Sequence, residues 1–236
     1  MINYAHRGAS EYAPENTLSS FYLGLMQGAN GIETDVQRTK DGVLVLFHDD
    51  TLTRVTGETG SVCDYTLEEL KSFKVRGNAP TFFYDTIPTL REFLEAFAKY
   101  DIRFAIELKE CGYEKEVLAT LDEFGMKGKT TITSFKFECI EAVKKADPSW
   151  RVGWLTAAPD SEAIEQLLAI GGEEMAPAAT PLNEEKVAAL RAKGLGVRAW
   201  GVKNVALMKK MCELKVDGMT VNFPDRLNSY LGSQPM

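Results

Sequence analysis

Residues 89–99, Thr-Leu-Arg-Glu-Phe-Leu-Glu-Ala-Phe-Ala-Lys, read as an amphipathic helix opened by a threonine cap, and residues 103–108, Arg-Phe-Ala-Ile-Glu-Leu, read as a short apolar strand. The pair then repeats: 113–124 has a helical pattern, and 130–134, Thr-Thr-Ile-Thr-Ser, is again strand-like. Strands separated by helices of this length form βαβ units, with the strands parallel and the helices outside them. Outward from this core the same alternation places strands at 2–5, 31–38, 151–155, 174–178, 196–200 and 217–221. Helices fall at 16–27, 137–147, 161–170, 183–193, 205–215 and 224–231. Asn16, Thr89 and Asn183 read as helix caps, and Pro224 suits a first helical position. Eight βα units in 236 residues predict an α/β fold of the TIM (β/α)8 barrel type, typically ~250 residues long. An open doubly wound sheet is the alternative.

One segment, 40–88, breaks the repeat. It begins with Lys40-Asp41-Gly42-Val43, an Asp-Gly hairpin signal. A two-residue turn there predicts Lys40 opposite Val43, His48 opposite Asp35 and Glu33 opposite Asp50, with those last four side chains on one face. Residues from about 51 to 85 read as a cap inserted between the second strand and the second helix, with turn-rich sequence at 57–60 and a short helix at 66–73. No linker is visible, so 1–236 reads as a single domain.

A formal net charge of −7 argues against a nucleic-acid or anionic-membrane surface, which needs an excess of lysine and arginine. No apolar run reaches transmembrane length, and strand-like sequence begins at once, leaving no room for a signal peptide. The expected location is cytoplasmic, with export behind a trimmed leader left open. Cys63, Cys111, Cys139 and Cys212 form no CxxC or Cys/His zinc spacing and read as reduced, non-catalytic thiols.

The chemistry concentrates at strand ends. The two histidines, His6 and His48, each stand in a short polar cluster, with Glu33-Thr34-Asp35 between them. Imidazoles beside acids suit a general acid/base pair. Glu33 and Asp35 alternate along one strand, and Glu107 and Lys109 do so at the end of another, so all point into the predicted barrel mouth. Three confined carboxylates repel one another unless a cation lies among them, and oxygen donors favour one hard divalent ion, Mg²⁺ or Ca²⁺. The competing reading is a salt-bridge network with Arg7, Lys109 and Arg38. A hard cation with an arginine and a lysine fits a phosphoryl group.

Six motifs now carry a family resemblance. His6-Arg7-Gly8-Ala9-Ser10, Pro14-Glu15-Asn16-Thr17, Glu33-Thr34-Asp35-Val36, Lys40-Asp41-Gly42, His48 to Arg54 and Ile87-Pro88-Thr89-Leu90 closely resemble, in order, the motifs of the glycerophosphodiester phosphodiesterases. The resemblance implies a metal-dependent TIM barrel that hydrolyses deacylated phospholipid headgroups to sn-glycerol 3-phosphate and an alcohol. It implies Glu33, Asp35 and Glu107 as metal ligands, His6 and His48 as the acid/base pair, and Arg7 and Lys109 on the phosphate. It also implies attack by the glycerol 2-hydroxyl through a cyclic phosphate, and Trp200 as a platform for the glycerol carbons. The sequence departs from the family at Trp200-Gly201-Val202-Lys203-Asn204 and Val221-Asn222, both expected to bear on specificity. Phe82-Phe83 in the insertion is expected to pack on the barrel or shape the headgroup pocket. Rival readings are a lysophospholipase D-like or cyclic-phosphate-forming enzyme, and a silent barrel that only binds ligand. The leaving alcohol, the choice between Mg²⁺ and Ca²⁺ and the oligomeric state are not legible.

Overall fold

The computed structural model describes residues 1–77 and 84–233. Along the chain run β1 (Ile2–His6), α1 (Leu18–Met26), β2 (Gly31–Arg38), β3 (Leu44–Leu46), α2 (Thr53–Thr56), α3 (Leu67–Ser72), β4 (Val75–Arg76), β5 (Tyr84–Asp85) and α4 (Leu90–Phe97). There follow β6 (Arg103–Leu108), α5 (Glu114–Glu123), β7 (Thr130–Ser134), α6 (Phe137–Ala146), β8 (Arg151–Thr156), α7 (Ser161–Ala169), β9 (Glu174–Pro177), α8 (Glu184–Ala192), β10 (Gly196–Ala199), α9 (Val205–Glu213), β11 (Gly218–Val221) and α10 (Pro224–Gly232). Strands β1, β2 and β6 to β11 pair in parallel, and β1 bonds both β2 and β11, which closes the barrel. The expected TIM barrel is present, and all eight predicted strands lie within a residue or so of the observed ones.

The helix that opened the sequence reading shows why the alternation works. Leu90, Phe93, Leu94 and Phe97 fall at i, i+3, i+4 and i+7 and are fully buried. Thr89 accepts from the Glu92 amide while Glu92 accepts from the Thr89 amide, a reciprocal cap. Phe93 packs edge-on against Phe21 at 4.9 Å and Phe104 at 6.0 Å, between helix layer and sheet. Truncating such a ring typically costs roughly 3–5 kcal/mol.

The barrel interior is not uniformly apolar. The Arg198 Nε donates to Glu174 Oε1 at 2.8 Å, and the guanidinium lies 5.5 Å from the Tyr4 ring. Glycine at 31 makes room for that tyrosine, because a Cβ there would sit 2.7 Å from Tyr4 Cδ1.

Two local expectations are corrected. The hairpin loop has three residues, not two: Thr39 N bonds Val43 O, Gly42 N bonds Thr39 O, and Gly42 adopts φ 86°. Asp41 explains the wider loop, since its carboxylate accepts from the Thr39 hydroxyl and from the Leu67 amide at the start of α3. Val36 therefore faces Leu46, the Asp35 carbonyl accepts from Phe47 N, and His48 lies beyond the ladder rather than opposite Asp35. The cap of α1 is Thr17, not Asn16, which takes φ 55° and turns inward.

The inserted segment carries its own small core, in which Leu52, Val55, Val62, Leu70 and Val75 pack with Val45, Phe47 and Ile87. Phe82 and Phe83 lie outside the described residues. No helix among the described residues is long and apolar enough to cross a membrane.

The cysteine reading is corrected too. Cys111, in the loop after β6, and Cys139, in the first turn of α6, are disulfide-bonded with Cα atoms 4.9 Å apart, leaving Cys63 and Cys212 as thiols. Adjacent barrel loops bring together residues 28 positions apart, and no spacing rule reveals such a pair. Denatured protein without reductant should titrate two thiols, and four after reduction. Closing a loop of that length contributes roughly 3–4 kcal/mol in the chain-entropy account, so reduction should lower the unfolding midpoint by about 6–12 °C. Four reactive thiols in the unreduced sample would refute the pairing.

Candidate active site

His6 is the last residue of β1, Glu33 and Asp35 sit on β2, and Glu107 is on β6; the register sets His6 beside Glu33 and Asp35 beside Glu107. The side chains thus converge at the C-terminal ends of three neighbouring strands. Carboxylate oxygens of Glu33, Asp35 and Glu107 lie within 4.8 Å of one another, and all three residues are buried. Burial, reinforced by Asp35 and Glu107, pushes Glu33 up to about 8. Burial and Asp35 likewise push Glu107 up to about 7. Asp35 is held well below the usual carboxylate range: burial opposes its ionisation, but Arg7, His48 and Lys109 and a hydrogen bond from Asn16 outweigh it.

This cluster fits a hard divalent ion. Its donors are all oxygen, and Asp35 Oδ1 is a buried acceptor with no hydrogen bond. The other oxygen, Oδ2, receives Asn16 Nδ2 at 2.8 Å and faces Arg7 Nε at 3.3 Å. Lys109 Nζ lies 2.8 Å from Glu107 Oε1 and 3.7 Å from Asp35 Oδ1. Arg38 takes no part, for it pairs with Glu116 on the outside, so the competing salt-bridge network lacks one of its members.

The two imidazoles are each held by the Nδ1 atom. His6 Nδ1 donates to Asn222 Oδ1 at 2.6 Å, which leaves Nε2 facing Glu33 Oε2 at 3.9 Å. Burial and the adjacent Arg7 guanidinium push His6 down to about 3, so the ring is neutral with a free lone pair. His48 Nδ1 lies 2.7 Å from Asp49 Oδ1.

A cavity of about 320 Å³ opens over these groups. His6, Arg7, His48, Glu33 and Glu107 line its polar side, and Phe135, Leu155, Trp200 and Val202 its apolar side. Trp200 is pinned by its indole N–H, which donates to Thr156 O at 3.0 Å, and the Phe135 ring meets it edge-on at 5.0 Å. A second cleft of about 210 Å³ shares Glu107 and Phe135 and is also lined by Asp50, Leu108, Lys109, Glu110 and Lys136. Of the eight residues singled out from the sequence, His6, Arg7, Glu33, His48, Glu107 and Trp200 line the first cleft, Lys109 lines the second, and Asp35 is buried against Arg7 and Lys109.

Residues 6–226 match the glycerophosphoryl diester phosphodiesterase family. The chain belongs to that family. It is 35% identical to a glycerophosphodiester phosphodiesterase of Bacillus altitudinis, over 94% of this chain and 95% of that protein. It is 33% identical to one from Caldanaerobacter subterraneus subsp. tengcongensis, over 94% of each. An Oleispira antarctica phosphodiesterase, solved in complex with its product sn-glycerol-3-phosphate, superposes with a TM-score of 0.88 at 30% identity, covering 99% of this chain and 97% of that one.

Beyond the expected residues, five others contact the site of this glycerophosphoryl diester phosphodiesterase family member, and of these the sequence had tied only Asn222 to the substrate side. Asn222, first read as a specificity difference, touches His6 itself. Asn16 links Asp35 to Thr34, donating to one and accepting from the other at 2.7 Å. Glu15 and Asp49 stood within quoted motifs and bond Arg7 and His48. Phe135 carried no signal, because only the barrel brings the end of β7 beside Trp200.

Proposed function

We propose that the chain hydrolyses glycerophosphodiesters to sn-glycerol 3-phosphate and an alcohol, with one divalent cation at Glu33, Asp35 and Glu107 and with His6 and His48 as the acid/base pair. The observation that carries this reading is a single cleft holding two oriented imidazoles beside a three-carboxylate cluster. When bound, the cation supplies charge neutralisation for the phosphoryl oxygens and orients the attacking oxygen. Arg7 and Lys109 add positive charge at the same phosphate, and Trp200 with Phe135 gives the glycerol carbons an apolar wall. One imidazole removes the proton of the attacking hydroxyl as the new O–P bond forms. The other protonates the alkoxide oxygen as the old O–P bond breaks, and water then opens the cyclic phosphate left by the glycerol 2-hydroxyl to give sn-glycerol 3-phosphate, with the two proton-transfer roles reversed. We read residues 1–236 as one barrel domain, with 51–85 as a cap beside the cleft.

Incubating purified protein with glycerophosphocholine and Mg²⁺ or Ca²⁺ should release glycerol 3-phosphate, and excess chelator should stop it. Phosphorus NMR would separate this product from the stable cyclic phosphate or lysophosphatidic acid of the rival activities. Release that continues unchanged in chelator would overturn the metal-dependent reading.

A further inference from the structure

Arg54, on α2 of the inserted segment, bonds the carboxylates of both Asp49 and Glu15. Its Nε donates to Asp49 Oδ2 at 2.6 Å and its Nη2 to Asp49 Oδ1 at 2.9 Å. On the other side, Nη1 reaches Glu15 Oε2 and Nη2 reaches Glu15 Oε1, both at 2.7 Å. Glu15 Oε1 also receives Arg7 Nη1 at 2.9 Å, and Asp49 Oδ1 holds His48 Nδ1. An unbroken chain of hydrogen bonds thus runs Arg7, Glu15, Arg54, Asp49, His48. Arg7 has a second anchor in Asp35, whereas Asp49 is the only hydrogen-bond partner of the His48 ring among the described residues.

We propose, on the phosphodiesterase reading above, that Arg54 is a positioning residue: its guanidinium forks onto Asp49 and Glu15 and fixes the His48 ring relative to Arg7 across the cleft. A carboxylate that receives two parallel N–H bonds cannot swing, so its remaining contact is held in direction. With Asp49 fixed, the proton of His48 stays on Nδ1, and Nε2 is the atom left for proton transfer. The inserted cap therefore reaches the site through its first helical turn, which sets the orientation of a proposed acid/base group. Lysine cannot replace this arginine, because a single ammonium has no fork to span two carboxylates. The Arg54 side chain is 45% exposed, and ion pairs that exposed add little to stability, so the role is separable from folding.

The test pairs kinetics with a readout independent of turnover. Arg54→Ala is expected to lower kcat about 10²-fold, the usual scale for a misplaced catalytic group, with KM changed less than about threefold. Arg54→Lys should recover little, and millimolar guanidinium, but not sodium chloride, should restore kcat of the alanine variant about tenfold. The chain has only two histidines, so ¹⁵N-histidine NMR resolves both rings. His48 should show one fixed tautomer in the wild type and an averaged one in Arg54→Ala, with His6 unchanged. A kcat within threefold of wild type, a loss indifferent to guanidinium, or an unaltered His48 spectrum would overturn the proposal. Should Arg54→Ala not fold, Asp49→Asn replaces it, expected to give the same kcat loss and spectral change; wild-type behaviour in both would again overturn it. A wild-type protein that turns over no glycerophosphodiester refutes the phosphodiesterase reading alone, because the spectra still decide the clamp.

Discussion

Replacing His6 with alanine is expected to lower kcat on glycerophosphodiesters by on the order of 10² to 10⁴, with metal affinity changed less than about threefold. The separation of the two effects follows from the geometry. His6 Nε2 stands 3.9 Å from Glu33 Oε2, outside the cluster of three carboxylates that fits the cation. Its Nδ1 is spent on Asn222, so Nε2 is the one atom available to the substrate. His48→Ala should give a loss of similar size, because on the proposed mechanism the two rings serve opposite ends of one displacement. The double variant should fall well short of the product of the two single losses, since groups that act as a unit are not additive. Stopped-flow or coupled kinetics with isothermal titration of Mg²⁺ would check this. A His6→Ala enzyme that loses cation binding along with activity would move His6 into the ligand set.

Glu33→Gln should show the opposite pattern, losing the cation and roughly three or more orders of magnitude of activity while gaining stability when metal-free. Glu33 rises from an ordinary 4.5 to about 8 and Glu107 to about 7, so the folded protein holds protons that the unfolded chain has released. Their stabilising contribution is full below the unfolded value of 4.5 and is lost as pH rises through 7 to 8. Asp35 is shifted the other way, and its contribution persists throughout that window. In excess chelator, raising the pH from 6 to 9 should therefore destabilise wild type through this cluster more than the glutamine variant. Adding cation at about a hundred times Kd should raise the wild-type unfolding midpoint by roughly 5–10 °C and leave the variant unmoved. Equal midpoints and equal response to metal in both proteins would sink the assignment of Glu33.

The fold was legible because its signal is periodic. Phe93 and Phe97 repeat with the helix, and the apolar runs around Ile32 and Ile106 mark strands buried on both faces. The carboxylates were legible because alternation along a strand decides which side chains point inward, and the histidines because each stands in a short polar cluster. What sequence hid depends on contacts across the barrel. The Asp41 carboxylate bonds two partners and widens the hairpin loop by one residue, which moves His48 out of the predicted register. Asn16 follows cap chemistry in sequence, yet the pull of Asp35 turns its amide inward and leaves Thr17 to cap. Cys111 and Cys139 meet only because β6 and β7 are neighbours.

Asn222 follows β11, the last barrel strand among the described residues, and the residue it holds is His6, at the end of the first. The other proposed site residues lie between residues 7 and 109, save for Phe135 and Trp200. Most of the proposed catalytic and binding groups thus lie in the first half of the chain, while the partner that orients His6 lies 216 residues away from it. Only where β11 pairs with β1 does the His6 imidazole meet its anchor, so closing the ring and orienting that side chain are one event.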